Sequence, residues 1–296
     1  MMRKIISNFP GFDRSNVPAR RGVPRRSLST AARVATACVS MTLFWCTTGA
    51  IDAVRVASAA SDKPPVPAEV TQKGFSQLVF SDDFNVLDMS PNDSGNFTWF
   101  NALWYSTRSD PSLFSVANGV LTLSARPNKG GALIATLARR PPGRDTTFTH
   151  GYFEARLAMN ASPDNFSAFW LFSSEHARGT DNNHWCEIDI FELFTPGTFT
   201  GTIHEWIDFK NTQNGNNLQP LGRDVDVSQW HIYGLLWEPG RVTWYFDGRP
   251  VMSAPSPDVC ERQKLFLILN SGVRNDRYDQ WLHVDWVRVF AKGAGQ

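Results

Sequence analysis

From Phe75 to Phe290 the chain is interrupted every few residues by Gly, Pro, Asn or Asp, and the runs between these breaks are short and β-prone. Such runs span Leu78 to Phe84, Val120 to Ala125, Ala132 to Leu137, Tyr152 to Met159, Phe166 to Phe172, Trp185 to Phe194, Lys264 to Asn270 and Trp281 to Phe290. Leu235 to Glu238 meets Pro239-Gly240 and resumes as Val242 to Phe246, which reads as a hairpin. Asp247-Gly248 then turns the chain into Pro250 to Met252. No window here carries a long amphipathic helix. A strand this short buries little by itself, so roughly a dozen of them predict an all-β sandwich of two stacked antiparallel sheets. The alternation is cleanest in Tyr152 to Met159, where Phe153, Ala155 and Leu157 face one way and Glu154 and Arg156 the other.

One run carries chemistry. In His184-Trp185-Cys186-Glu187-Ile188-Asp189-Ile190-Phe191-Glu192, alternation puts Trp185, Glu187 and Asp189 on one face and Ile188 and Ile190 on the other. Strict parity would place Phe191 with the acids and turn Glu192 into an apolar core, which is costly. A β-bulge near Ile190-Phe191 restores the parity and brings Glu192 back beside Asp189. Three carboxyls then share a face. A retaining glycosidase needs two carboxyls about 5 Å apart, a nucleophile and an acid/base. Four regular strand steps separate Cα atoms by ~13 Å, a gap that two Glu side chains can close and an Asp cannot. Like charges crowded together favour keeping one proton in the group. An ordinary strand with a solvated acidic face is the plainer alternative, and the spacing alone does not exclude it.

Charge narrows the partners. Residues 1–60 hold nine Lys and Arg against two Asp, which leaves the rest of a +1 chain at −6. A mildly acidic body without a basic stripe argues against nucleic acid. Arg20, Arg21, Arg25 and Arg26 precede an apolar stretch from Val34 to Ile51 and then Ala57-Ser58-Ala59. This order reads as an export signal, with an uncleaved membrane anchor as the alternative. Residues 61–74, with Pro64, Pro65 and Pro67, read as a linker, 75–291 as one catalytic domain and 292–296 as a tail. The expected location is outside the cytoplasm, and the expected state is a monomer. Cys38 and Cys46 lie in the leader, and Cys186 and Cys260 are left either as a disulfide or as two buried thiols. There is no CxxC, HExxH or GxSxG, so neither a catalytic metal nor a serine nucleophile is expected, and no cofactor for catalysis.

The ExDxxE spacing resembles glycoside hydrolase family 16, in its bulge-bearing branch of laminarinases, agarases and κ-carrageenases. The resemblance extends to Phe80-Ser81-Asp82-Asp83-Phe84, Gly151-Tyr152-Phe153-Glu154-Ala155-Arg156, Ala168-Phe169-Trp170-Leu171, Trp237-Glu238-Pro239, Trp244-Tyr245-Phe246-Asp247-Gly248 and Asp285-Trp286-Val287-Arg288-Val289, in the right order. It implies a concanavalin A-like β-jelly roll that binds a polysaccharide across one sheet. Glu187 is implied as nucleophile, Asp189 as assistant and Glu192 as acid/base. Glu154, Arg156, Trp170, Trp185, His204, Trp206 and Asn270 are implied as sugar-contacting residues, with Trp185 as a stacking aromatic. A structural calcium is implied at Asp285. The implied activity is endo-hydrolysis of a β-1,3- or β-1,3-1,4-glucan or a galactan. A transglycosylase and a catalytically silent lectin-like module are the alternatives. Asn165-Phe166-Ser167 and Cys186 stand where laminarinases usually have Trp-Pro and Gly, which leaves the glycan open.

Overall fold

A computed structural model describes residues 63–193, 197–220, 225–272 and 279–293, with the side chains of 213–220 left aside. The leader, its two cysteines and the end of the tail lie outside the described residues, and so do the expectations attached to them. Among the described residues no helix is long and apolar enough to cross a membrane.

In chain order the strands are β1 (Phe75–Asp82), β2 (Phe114–Ala117), β3 (Val120–Arg126), β4 (Gly130–Gly131), β5 (Leu133–Ala135), β6 (Gly151–Met159), β7 (Ala168–Ser173), β8 (His184–Glu192), β9 (Thr198–Ile207), β10 (Lys210–Pro220), β11 (His231–Glu238), β12 (Arg241–Phe246), β13 (Arg249–Pro255), β14 (Leu265–Asn270) and β15 (Gln280–Lys292). Among the described residues, short α-helices accompany them at α1 (Ala68–Gln72), α2 (Ser174–Ala177) and α3 (Asp258–Arg262). The strands form two antiparallel sheets, as the punctuated sequence predicts. One runs β13-β12-β11-β6-β15-β3-β2, with β1 added on β15 and β4 on β3; the other runs β10-β9-β8-β7-β14-β5.

Phe153, Ala155 and Leu157 of β6 pack against Ile188, Ile190 and Phe191 of β8 in one core between the sheets, joined by Leu171, Ile203, Leu235, Trp244 and Leu267. The strands of the second sheet therefore send alternate side chains inward, and on the other face Leu103 and Trp104 cover Phe172, Phe266 and Ile268.

Two expectations change here. The β9–β10 hairpin is absent from the sequence reading, because the run Asn211 to Asn217 is polar on both faces and looks like a loop. It is in fact an edge pair, which needs little apolar patterning. Residues 63–74 also do more than link. Val66 and Val70 pack with Phe75, Tyr152, Leu236, Tyr245 and Phe290 on the outer face of the nine-stranded sheet, covering apolar side chains that water would otherwise meet.

Candidate active site

The bulge lies where parity requires it. Opposite β7, Trp170 pairs with Asp189 and Phe169 with Phe191, so Ile190 is the extra residue. Opposite β9, Asp189 pairs with Thr202 and Glu192 with Thr200, and the two residues between them face one. Ile190 and Phe191 both turn into the core and are wholly buried. Glu187, Asp189 and Glu192 consequently share the outward face of the six-stranded sheet.

A doubled residue interrupts the strand ladder, and a carbonyl that loses its partner inside a protein needs another. Trp244 of β12, in the opposite sheet, donates its indole N–H to the main-chain oxygen of Asp189 at 2.8 Å. Gly201 of β9 lies against that indole, and a Cβ there would overlap the Trp244 ring and Met252. Sequence reasoning misses this support entirely, since nothing in the Trp244 or Gly201 pattern points to β8.

The carboxyls are held by a ring of donors. Trp206 Nε1 donates to Glu187 at 2.9 Å, and His204 Nε2 to Asp189 at 2.9 Å. Glu192 hydrogen-bonds to Asp189. On the far side of His204 the Asn211 amide lies 2.7 Å from Nδ1, with its nitrogen nearest and Oδ1 buried without a partner. An amide is oriented by its hydrogen bonds, and exchanging its two atoms satisfies Oδ1 with an Nδ1–H. That orientation suits a doubly protonated His204, donating to Asp189 through Nε2 and to Asn211 through Nδ1.

The electrostatics agree with that assignment. Burial pulls the His204 pKa down, but the hydrogen bond to Asp189 and the charges of Asp189, Glu187 and Glu192 outweigh it and push the value up to about 10. Burial first, and then the charge of Asp189, raises Glu187 to about 7 against the opposing pull of His204 and the Trp206 hydrogen bond. Glu192 is raised well above the ordinary carboxyl range, mainly by burial and then by Asp189. Three acids and one imidazolium thus favour one ionised glutamate and one protonated glutamate at neutral pH. One ligand atom each from Glu187, Asp189 and His204 lies within 4.8 Å of the others.

The remaining implied residues divide. Trp170 is partly exposed on the same face, beside Asp189, and donates to Asn270 Oδ1 at 2.8 Å. Both therefore line the carboxylate face. Trp185 is on that face too, but wholly buried beneath His176 and Phe209, so it offers no free ring to a sugar. Glu154 and Arg156 belong to the other sheet. They project from the outer face of β6, on the opposite side of the core from Glu187, and this corrects the expectation that they line the cleft. Glu154 is buried against Arg288 and accepts from the Tyr152 hydroxyl at 3.0 Å. Arg156 donates to Asp285 at 2.6 Å. The carboxylate of Asp285, the residue implied for a structural calcium, carries the Arg156 guanidinium.

Tyr105 is an addition that the sequence reading lacks. It packs edge-on to Trp104 at 4.7 Å and is exposed at the surface. Its run, Asn101 to Thr107, has no strand pattern to flag it.

Cys186, between Trp185 and Glu187, is disulfide-bonded to Cys260 of α3, which resolves the alternative left open by sequence. The same corner is fixed by Gln263, which accepts from Cys186 N at 3.0 Å and donates to His184 O at 3.0 Å.

This fold is that of known proteins. The family model described as "Glycosyl hydrolases family 16" matches residues 101–266. The chain belongs to that family. It is 30% identical over 223 residues to the endo-1,3-1,4-beta-glycanase EglC of Rhizobium meliloti, covering 66% of this chain and 45% of that one. It is 28% identical over 205 residues to a beta-glucanase of Acetivibrio thermocellus, covering 69% of this chain and 55% of that one. The chain thus spans about half the length of the curated relatives it matches. In fold it resembles the laminarinase catalytic domain of Thermotoga maritima, with a TM-score of 0.58 at 21% identity, covering 73% of this chain and 98% of that one. The family's jelly roll is therefore the architecture of this glycosyl hydrolase family 16 member, as the resemblance in its motifs implies.

Proposed function

We propose that this family 16 domain is a retaining endo-β-glucanase that cuts internal linkages of a β-1,3- or β-1,3-1,4-linked glucan. The observation that carries the reading is the bulge at Ile190-Phe191, which puts Glu192 on the face of Glu187 and Asp189.

In the first step the Glu187 carboxylate attacks the anomeric carbon while Glu192 gives its proton to the departing glycosidic oxygen. A glycosyl ester forms on Glu187 and one half of the glycan leaves. In the second step Glu192, now ionised, takes a proton from water as that water attacks the same carbon, and the Glu187 carboxylate is released. Asp189, hydrogen-bonded to Glu192 and to the His204 imidazolium, holds the proton on the correct carboxyl between steps.

The choice of glucan over galactan follows the name of the Acetivibrio beta-glucanase, and the 1,3-1,4 linkage that of EglC. The basic-then-apolar order of residues 1–60, read as an export signal, supports an activity outside the cytoplasm. Reducing-end release from laminarin, lichenan, agarose and κ-carrageenan tests the reading. Cleavage of the first two and its disappearance in Glu187→Gln support it. Undiminished cleavage by Glu187→Gln, or cleavage of the galactans alone, sinks it.

A further inference from the structure

Trp185 lies on the carboxylate face but has no exposed ring. His176 stacks on it at 3.8 Å, Trp206 runs nearly parallel to it at 5.9 Å, and Phe209 meets it edge-on at 5.0 Å. Phe209 also packs against His176 at 6.0 Å and remains 41% exposed. The aromatic surface available to a ligand has moved one layer outward, from Trp185 to Phe209.

The backbone under Phe209 is unusual. Ile207 pairs with Lys210, so Asp208 and Phe209 alone make the turn between β9 and β10. Their φ angles are 50° and 62°. Asn-Gly is the pair that suits such a turn, and a bulky L-residue avoids it. Phe209 thus combines two costs, a left-handed backbone and a large apolar surface in water. Sites that retain such strain are commonly ligand clamps.

We infer that Phe209 is a sugar-stacking platform at the rim of the cleft, which holds a pyranose ring of the bound chain away from the bond being cut. Its route to the reaction centre is short and entirely aromatic: Phe209 on Trp185, Trp185 beside Trp206, and Trp206 donating to Glu187 at 2.9 Å. The apolar C–H face of a glucose ring packs on an exposed aromatic ring. Stacking on Phe209 would select long chains over short ones. The inference rests on the glucanase reading and adds to it a residue for chain-length preference.

The test compares a soluble β-glucan polymer with an aryl β-glucoside too short to reach the rim. In Phe209→Ala, KM for the polymer rises about 3- to 10-fold, as loss of one aromatic contact implies. Its kcat and both constants on the aryl glucoside stay at the wild-type values. Phe209→Trp restores the polymer KM. Phe209→Gly shares the KM defect but melts at a higher temperature than Phe209→Ala, because glycine accepts the positive φ without strain; this separates loss of the ring from loss of fold. An unchanged polymer KM in Phe209→Ala overturns the inference. So does faster turnover, which would make Phe209 a lid over Trp185. Wild-type protein inert on every glucan would sink the glucanase reading and this inference with it, whereas an active wild type with an unaffected variant sinks the inference alone.

Discussion

The indole N–H of Trp244 donates to the main-chain carbonyl of Asp189 at 2.8 Å, from the opposite sheet and through the core. The bulge that aligns the carboxyls removes a ladder partner from β8, and this bond supplies a replacement. Gly201 makes room for it. Trp244→Phe keeps most of the buried ring but leaves the Asp189 oxygen without a donor. A buried unpaired carbonyl costs about 1–3 kcal/mol, so denaturant unfolding should show a loss of that size. Turnover should fall as well, because the bulge sets the position of Glu192. Gly201→Ala should do the same by displacing the indole. Wild-type stability and turnover in both variants would mean that the bulge holds itself.

His204 acts through its charge. As an imidazolium it lowers the pKa of Glu187 and of Glu192. His204→Gln removes that charge, so the acid limb of the pH–rate profile, set by ionisation of Glu187, should move to higher pH. Turnover near neutrality should drop on the order of tenfold, equivalent to about 1.4 kcal/mol. A profile that falls in height without moving would identify His204 as a packing residue only.

Stability should depend on pH in a definite direction. Glu187 titrates near 7 in the fold against an ordinary 4.5, and His204 near 10 against 6.5, so both bind protons more tightly folded than unfolded. The contribution of Glu187 is complete below about 4.5 and is lost as pH rises towards 7. That of His204 is complete below about 6.5 and is lost as pH rises towards 10. Thermal midpoints of Glu187→Gln and His204→Gln, subtracted from wild type across this range, should remove the first and second declines respectively. A difference that grows in the other direction with pH would contradict the assignment.

The Cys186–Cys260 bond closes a 74-residue separation and anchors β8 next to Glu187. Cross-links of this kind typically stabilise by about 2–4 kcal/mol. Cys260→Ala should lose an amount in that range, read from the denaturation midpoint with and without reductant. Reductant should leave the variant unchanged. Equal stability of the reduced and oxidised wild type would show that the helix packing suffices.

Much of this was legible in the residue order. The parity of Glu187, Asp189 and Glu192 demands a bulge, because the energetic penalty of turning Glu192 inward is local to one strand. Alternation equally separates Glu154 and Arg156 from Phe153, but it says nothing about which sheet a strand joins, and the two residues face away from the cleft. For Trp185 the face was readable while its covering was not, since His176 and Phe209 arrive from a helix and a hairpin tip. The Trp244–Asp189 bond crosses 55 residues of sequence and two sheets, and no periodicity records such a contact.

The central claim is that Glu187 attacks and Glu192 exchanges the proton. Azide rescue of Glu187→Ala and Glu192→Ala on an activated aryl β-glucan oligosaccharide, with the anomer of the glycosyl azide read by NMR, tests it most directly. Without its nucleophile Glu187→Ala can react only by one displacement and should yield the α-azide. Glu192→Ala still forms the glycosyl ester and should yield the β-azide, since two displacements retain configuration. The same anomer from both variants, or the two anomers exchanged, would contradict the assignment.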